Sequence, residues 1–468
     1  MPCFSLEQLV DIVAATPLNI SGAGLSGIVT QITTDSRHLK PNEIFLALEG
    51  AQFDGHLFVE AALAQGAIAA IVSHVPEGAE TLPLLLVANT LEAYQAIARC
   101  WRNQFAIPVI AITGSVGKTT TKELIAAVLA NQEEIQGAVL KTQANYNNEI
   151  GVPKTLLELK PIHRYAVVEM GMRAAGEIAL LTQIARPDIA VITNVGTAHI
   201  GRLGSAQAIA NAKCELLQNL QPNGVAILNH ENPLLTATAA QVWHGKTLTY
   251  GLEGGDVCGQ LVDPNTLEVN GMRLPLPLPG RHNALNYLAA LAVAQVLQID
   301  WYPLTQGLAV ELPQGRSRRY ELPNNVVILD ETYNAGLESM VAALHLLAQT
   351  PGTRHIAVIG TMKELGERSR DLHYQVGTTV RQLNLDYLLI LADPEAADAL
   401  AAGAASIPTE QIANPQALIE RLQVLVKPGD RLLFKASRAV KLDQVLETFM
   451  QQTYSRLSLN PPSLKMTD

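Results

Sequence analysis

Cysteine is scarce in this chain. The four in 468 residues, Cys3, Cys100, Cys214 and Cys258, lie far apart and form no C-x-x-C pair. That pattern argues against a disulfide framework or a cysteine-type zinc site and fits a reducing compartment. Basic runs are missing as well. Lysine and arginine number 33 against 43 aspartates and glutamates, giving a net charge of −10. Such a chain is a poor ligand for a nucleic-acid backbone. The start, Met1-Pro2-Cys3-Phe4-Ser5-Leu6-Glu7, has no basic segment leading into an apolar one, so no secretory signal is expected. Long apolar runs are also absent. The best helical candidate, Ala284 to Ile299, is interrupted by Asn286, Gln295 and Gln298 and is too short and polar to span a bilayer. No repeat with a period of about 20–50 residues suggests a solenoid or propeller. Charged residues make up only 16%, whereas hydrophobic ones reach 48%, enough for sizeable cores and too many for wholesale disorder. The expectation is an intracellular multidomain protein.

At about 150 residues per domain, the length suggests roughly three domains. Short β-branched runs alternate with helical patterns almost throughout, which is the mark of α/β architecture. The front part predicts helices near Leu6–Ala14, Phe58–Gln65 and Leu91–Trp101, with strands near Ile28–Thr33, Ile44–Ala47, Ile68–Val72 and Leu84–Val87. Pro108 introduces a buried strand, and further strands are expected at Tyr165–Glu169, Ile189–Thr193 and Val225–Asn229. Residues 245–280, with close-set glycines and prolines, predict an antiparallel excursion. From Val326 a regular doubly wound rhythm follows, with strands at Val326–Leu329, Ile356–Ile359, Tyr387–Leu391 and Arg431–Phe434. Helices are expected between them at Ser339–Gln349, Leu372–Leu383 and Ala417–Val426. The expected boundaries give domains at 1–105, 106–314 and 315–455, and a frayed tail at 456–468.

The strongest local signal runs from Val109 through Thr113-Gly114-Ser115-Val116-Gly117-Lys118-Thr119-Thr120 to Lys122. It reads as strand, glycine loop and helix start, in which backbone N–H groups and the helix terminus favour phosphate. Lys118 can reach the β- and γ-phosphates, and the Thr119 hydroxyl can ligate Mg²⁺. Ile112 stands where the commoner loop has its first glycine. Glu169 and the Thr193–His199 segment both follow predicted strands, and ligands collect at such strand ends. A carboxylate and an imidazole beside a triphosphate suit Mg²⁺. Taken singly, His199 reads as a loop histidine and Glu169 as a strand-end charge. Lys213, in a helix with few other charges, reads as a snorkelling surface lysine. The amide cluster Asn145-Tyr146-Asn147-Asn148 is either turn chemistry or a set of neutral donors for phosphate or peptide.

In this order the segments resemble the Mur ligase family, ATP-dependent enzymes that build the peptide of bacterial cell-wall precursors. The resemblance rests on Thr113–Thr120, Asn145–Pro153, Glu169-Met170-Gly171, Thr193–His199 and Ala212-Lys213. It extends through Gly280-Arg281-His282-Asn283 with Asn286, Gly315-Arg316, Asp330 with Tyr333-Asn334-Ala335, and Gly429-Asp430 to Lys435-Ala436-Ser437-Arg438. Within the family the chain is most similar to members that join D-alanyl-D-alanine to UDP-N-acetylmuramoyl-tripeptide. That similarity is carried by Thr34-Asp35-Ser36-Arg37, Phe53-Asp54-Gly55-His56, Met362-Lys363-Glu364-Leu365-Gly366 and His373, and by the absence of an Asp-Asn-Pro-Arg motif. The family usually continues Asn-Ala-Asn-Pro where this chain has Asn334-Ala335-Gly336-Leu337.

The resemblance implies a UDP-sugar-binding α/β domain in front, a central P-loop ATPase-like parallel sheet, and a Rossmann-like last domain holding the amine substrate. It implies ATP and Mg²⁺ as cofactors. Gly114, Ser115, Val116, Gly117, Lys118, Thr119 and Thr120 would bind ATP phosphates. Asn283, Asn286, Asp330, Tyr333 and Asn334 would contact the nucleotide, with Arg316 near the γ-phosphate. Thr119, Glu169, His199 and a carbamylated Lys213 would bind Mg²⁺, while Ser36, Arg37, Asn147 and Asn148 would serve the UDP-sugar peptide. The implied partners are the two substrates, with no nucleic acid and no membrane span, and a cytoplasmic monomer is expected. Two rivals are another ligase of the family, of the glutamate-adding or folate polyglutamate class, and a nucleotide-gated ATPase without ligation. The residues identify no general base for the incoming amine.

Overall fold

The computed structural model describes residues 4–50, 53–132, 135 and 137–456. Cys3 and the tail from residue 457 lie outside the described residues. Three larger mixed α/β sheets follow one another along the chain.

The first sheet orders its strands Thr16–Leu18, Leu84–Leu86, Ala69–Val72, Glu43–Leu46 and Gln31–Thr33. All neighbours are parallel except the first pair. The expected strand Ile28–Thr33 divides here. Ile28–Val29 pairs antiparallel with Phe4–Ser5, whereas Gln31–Thr33 runs parallel to Glu43–Leu46. Between them Thr30 hydrogen-bonds to the Asn42 carbonyl, so a continuous apolar pattern serves two sheets. The helix Thr90–Arg102 is capped by Asn89, whose side chain accepts from Leu91 and Glu92 N–H. It ties the first sheet to the second, because Trp101 donates to the Leu159 carbonyl at 3.2 Å and Gln95 to Glu149 at 3.1 Å.

The second sheet has nine strands: Val139–Lys141, Tyr165–Glu169, Val109–Thr113, Ile189–Ile192, Val225–Asn229, Lys246–Gly251, Val257–Asp263, Thr266–Val269 and Met272–Pro275. Every residue of Val109–Thr113 is buried because helices cover both faces, which is why its sequence is continuously apolar rather than alternating. Val109 and Ala111 pack in the core shared with the helix Ala206–Gln218. Ile110 and Ile112 face the helices Lys118–Ala130 and Arg281–Val296. The latter is buried almost all round, as its apolar composition requires. The expected antiparallel excursion at 245–280 is corrected in its first half. Lys246–Gly251 extends the parallel sheet beside Val225–Asn229, and Val257 and Cys258 pair parallel to Tyr250 and Gly251. Only the last three strands are antiparallel. Alternation identifies a strand but not the direction of its neighbour.

The third sheet runs Arg318–Leu322, Val326–Glu331, Asp430–Lys435, Arg354–Gly360, Tyr387–Leu391 and Thr409–Gln411, parallel except for its first strand. The expected strands and helices are present. The antiparallel edge Arg318–Leu322, the helix Pro394–Gly403 and the edge strand Thr409–Gln411 come in addition.

Candidate active site

In the second sheet the chain leaves Val109–Thr113 for the edge strand Val139–Lys141, returns through Tyr165–Glu169 on the same side, and then continues on the other side through Ile189–Ile192. Ligands of open α/β sheets bind in the crevice at such a switch point, beyond the carboxyl ends of the strands. The glycine loop stands there. Gly117 has φ +84°, and a Cβ on it would lie 2.6 Å from Asn286 Oδ1, so only glycine fits. The loop differs from expectation in one respect. The Ser115 and Val116 amides are already taken by the Asn194 carbonyl (3.1 Å) and Oδ1 (3.0 Å). The helix's first turn still offers N–H groups to an anion, those of Lys118 to Thr120, which have no intrahelical acceptor. Lys118 Nζ donates to the Gly114 carbonyl at 2.7 Å. Burial lowers its pKa, and Glu169 partly opposes that shift.

Glu169 is almost fully buried. Its carboxylate accepts the Thr119 hydroxyl at 2.9 Å and the Asn147 amide at 2.8 Å, while its own N–H donates to Thr142 Oγ1 at 3.0 Å. Among the described residues no lysine, arginine or histidine forms an ion pair with it. Asn148 turns its Oδ1 to the Gly151 amide at 2.9 Å, holding the amide-rich loop beside Glu169. Both asparagines line the central cavity.

Lys213 corrects the residue-level reading. It is 1% exposed, not a surface lysine. Its ammonium makes no hydrogen bond or ion pair among the described residues, and its pKa is pushed far down, first by burial and then by Lys118. The helix Ala206–Gln218 turns that position inward together with Ile209, Ala210 and Leu217. His199 is half-buried, in the left-handed region at φ +66°. Its Nδ1 meets Glu364 Oε2 at 2.5 Å rather than Glu169. Burial lowers the imidazole pKa, with Glu364 opposing. For Glu364, burial is outweighed by the charge and hydrogen bonds of His199 and Arg202, which keep its carboxyl below the usual range.

A cavity of about 840 Å³ lies between the second and third sheets. From the second, Ser115–Thr120, Glu169, His199, Asn283 and Asn286 face it; from the third, Arg316, Tyr333, Asn334 and Lys435 do. Asn286 accepts the Thr121 hydroxyl at 3.2 Å and donates to Asn283 Oδ1 at 3.3 Å, linking helix Arg281–Val296 to the phosphate loop's helix. The Arg316 guanidinium lies 3.8 Å over the Tyr333 ring, and its buried Nε has no acceptor among the described residues. Asp330 stands behind the cavity wall, accepting the Thr332 N–H and hydroxyl at 3.0 and 2.7 Å, and burial raises its pKa. Ser36 and Arg37 do not line this cavity. Arg37 is exposed and paired with Asp35 at 2.7 Å.

Some contacts of the site were invisible in the sequence, and Glu338 was not singled out there at all. Glu338 accepts from Thr197 N–H and hydroxyl at 2.6 and 3.1 Å, and Glu364 reaches His199 and Arg202. Asn194 holds the phosphate loop, and Lys435 donates to the Asn334 carbonyl at 3.0 Å. These partners lie between about 80 and 165 positions apart in the chain, and no local spacing could have signalled them. Among the described residues no helix is long and apolar enough to cross a membrane.

Comparison with known proteins agrees with this geometry. Residues 28–100 match the model of the Mur ligase family catalytic domain, 112–294 the Mur ligase middle domain, and 315–438 the Mur ligase glutamate ligase domain. A UDP-N-acetylmuramoyl-tripeptide–D-alanyl-D-alanine ligase of Synechocystis sp. is 56% identical over 91% of this chain and 92% of its own. The crystal structure of MurF from Acinetobacter baumannii superposes with a TM-score of 0.86 at 31% identity, covering 96% of this chain and 99% of that one. MurF ligase from Thermotoga maritima, solved in complex with ADP, gives 0.81 at 31% identity over 91% and 98%.

Proposed function

The chain belongs to the Mur ligase family, and from that premise we propose that its cleft performs the reaction for which its relatives are named. It is an ATP-dependent ligase of peptidoglycan precursor synthesis that joins D-alanyl-D-alanine to UDP-N-acetylmuramoyl-tripeptide. One observation carries the assignment of the chemistry to this cleft. Lys118 and Arg316, from different sheets, face one cavity with Glu169, a buried carboxylate outside any ion pair among the described residues.

A carboxylate is a poor electrophile. Transfer of the ATP γ-phosphoryl group to the tripeptide carboxylate forms an acyl phosphate and ADP; the amine of D-alanyl-D-alanine then attacks, and phosphate leaves. Lys118, the first-turn N–H groups through Thr120, and Arg316 stabilise the charge on the transferred group. Gly114, Ser115, Val116 and Gly117 shape the loop. Asn283, Asn286, Tyr333 and Asn334 hold the nucleotide, with Asp330 bracing the Tyr333 loop. Asn147 and Asn148 contact the peptide end of the UDP-sugar substrate, and Ser36 and Arg37 its other end. The divisions at 105 and 314 separate these three duties.

The residues fit Mg²⁺. The Thr119 hydroxyl and the unpaired Glu169 carboxylate are hard oxygen donors, and His199 lies on the same wall. Lys213, whose pKa burial holds well below the ordinary lysine value, is open to carbamylation, which would turn it into an anion near His199. Bound Mg²⁺ screens the repulsion between triphosphate and carboxylate.

The reading is tested by ADP release with UDP-muramoyl-tripeptides carrying lysine or diaminopimelate, each with and without D-alanyl-D-alanine. Release that needs both substrates is expected, and the comparison identifies the accepted third residue. ATP hydrolysis indifferent to both would overturn it.

A further inference from the structure

The third sheet reaches into the second at one place with unusual closeness. Gly201 donates its N–H to the Glu364 carbonyl at 3.2 Å, and a Cβ on Gly201 would stand 2.5 Å from Gly366 N. His199 and Glu364 face each other across this contact, both non-glycine residues in the left-handed region, at φ +66° and +65°. Residues are held in that region when surrounding structure over-determines them, and such positions cluster at functional sites. Here the conformation aims one side chain at the other, Glu364 Oε2 lying 2.5 Å from His199 Nδ1. Arg202 holds the second oxygen, Oε1, at 3.1 Å. The carboxylate is therefore itself fixed from behind.

We infer that Glu364 is the positioning residue of His199. Its carboxylate accepts the Nδ1–H, which fixes the imidazole as the Nδ1–H tautomer, orients the ring, and leaves the Nε2 lone pair for a metal. A histidine ligand commonly donates its other ring N–H to a carboxylate, and loss of that partner typically weakens metal binding by about 10–100-fold. Glu364 belongs to the third sheet's segment and His199 to the second's. This inference rests on the reading of His199 as a Mg²⁺ ligand.

The test uses the full-length protein with ADP and titrates Mn²⁺ by electron paramagnetic resonance. His199→Ala identifies the binding step that depends on the imidazole. Glu364→Ala and Glu364→Gln are expected to weaken that same step by about 10-fold or more. In ¹⁵N-histidine spectra, Glu364→Ala should lose the Nδ1–H tautomer of His199. Glu338→Gln, which loosens the neighbouring contact at Thr197 without touching the imidazole, should change Mn²⁺ affinity by less than about threefold if positioning, not docking, governs it. Unchanged Mn²⁺ affinity in both Glu364 variants, with the step lost in His199→Ala, would overturn the inference alone. No lost step in His199→Ala would overturn it together with the metal reading of that histidine. An equal loss in Glu338→Gln would assign the effect to domain docking and would also overturn it.

Discussion

Lys122 and Lys213 are both 1% exposed and lie on opposite sides of the second sheet, yet they are treated in opposite ways. Lys122 Nζ pairs with Glu123 at 2.9 Å and donates to the Thr142 carbonyl at 2.6 Å, and Glu123 is shared with Lys141. Its charge is compensated on the spot. Among the described residues Lys213 has no such partner, and the charged group that acts on it most strongly, Lys118, is of like sign. A buried charge that is paired and hydrogen-bonded is scaffold; one left bare has been kept for something else. The paired lysine does act on the site indirectly. It anchors the Thr142 carbonyl, and the Thr142 hydroxyl holds the backbone of Glu169.

The comparison can be broken most severely at the phosphate loop. Lys118, like Lys213, has no carboxylate within ion-pairing distance among the described residues. Lys118→Ala should lower the ligation rate on the order of 10³-fold, the scale for a group that stabilises transition-state charge. The melting temperature should stay near that of the parent. Near-full ligation with normal ATP affinity would remove Lys118 from the site.

Lys213→Ala should lose ligation on the order of 10²-fold, the scale of a lost group that orients the metal site. Short-chain carboxylates should restore part of it by filling the anion position, and Lys213→Arg should not be rescued, because guanidinium keeps its positive charge. The same residue gives a pH test in CO₂-free buffer. Its folded pKa is depressed, so the unfolded chain binds more protons between the folded and the ordinary lysine value. Stability attributable to Lys213 should therefore rise with pH through that window. Lys213→Met should be the more stable protein at neutral pH, with the difference closing towards the ordinary lysine pKa. Chemical denaturation at several pH values measures it, and a difference that widens with pH would contradict the sign.

Lys122→Met sharpens the contrast from the other side. Removing one partner of a buried pair costs roughly 3–5 kcal/mol, and about 3 is expected here because Lys141 still neutralises Glu123. Ligation per folded molecule should fall only a few-fold, as Thr142 loosens, and carboxylates should give no rescue. Arg37 is the third case, exposed and locally paired. Arg37→Ala should leave the melting temperature near that of the parent. The KM for the UDP-sugar peptide should rise roughly 10-fold, as for a lost charge-assisted hydrogen bond, with the KM for ATP unmoved. Equal damage to both KM values would argue against separate sites.

Much of the fold was legible. Tyr165–Glu169, Val225–Asn229 and Tyr387–Leu391 occur with the expected bounds, because a strand buried on both faces is a largely apolar run flanked by turn residues. The misreadings share one cause. Ile28–Thr33 and residues 245–280 show strand character, but whether a neighbour runs parallel or which sheet it joins is a property of the partner. In the site, the loop from Gly114 to Thr120 was readable because phosphate binding uses contiguous backbone. Lys213 was not, since few charges around it in sequence say nothing of whether the helix face is covered.

The sequence by itself determined the α/β rhythm, the phosphate loop and the order of segments that marks the family, all local patterns set by side-chain periodicity and glycine placement. Only the tertiary structure decided that Lys213 is bare and Lys122 paired, that Asn194 occupies two amides of the loop, and that Glu338 and Glu364 reach across to Thr197 and His199. Burial and charge compensation depend on which surfaces meet, and those surfaces come from residues scores of positions apart, brought together by packing that no short stretch of chain encodes.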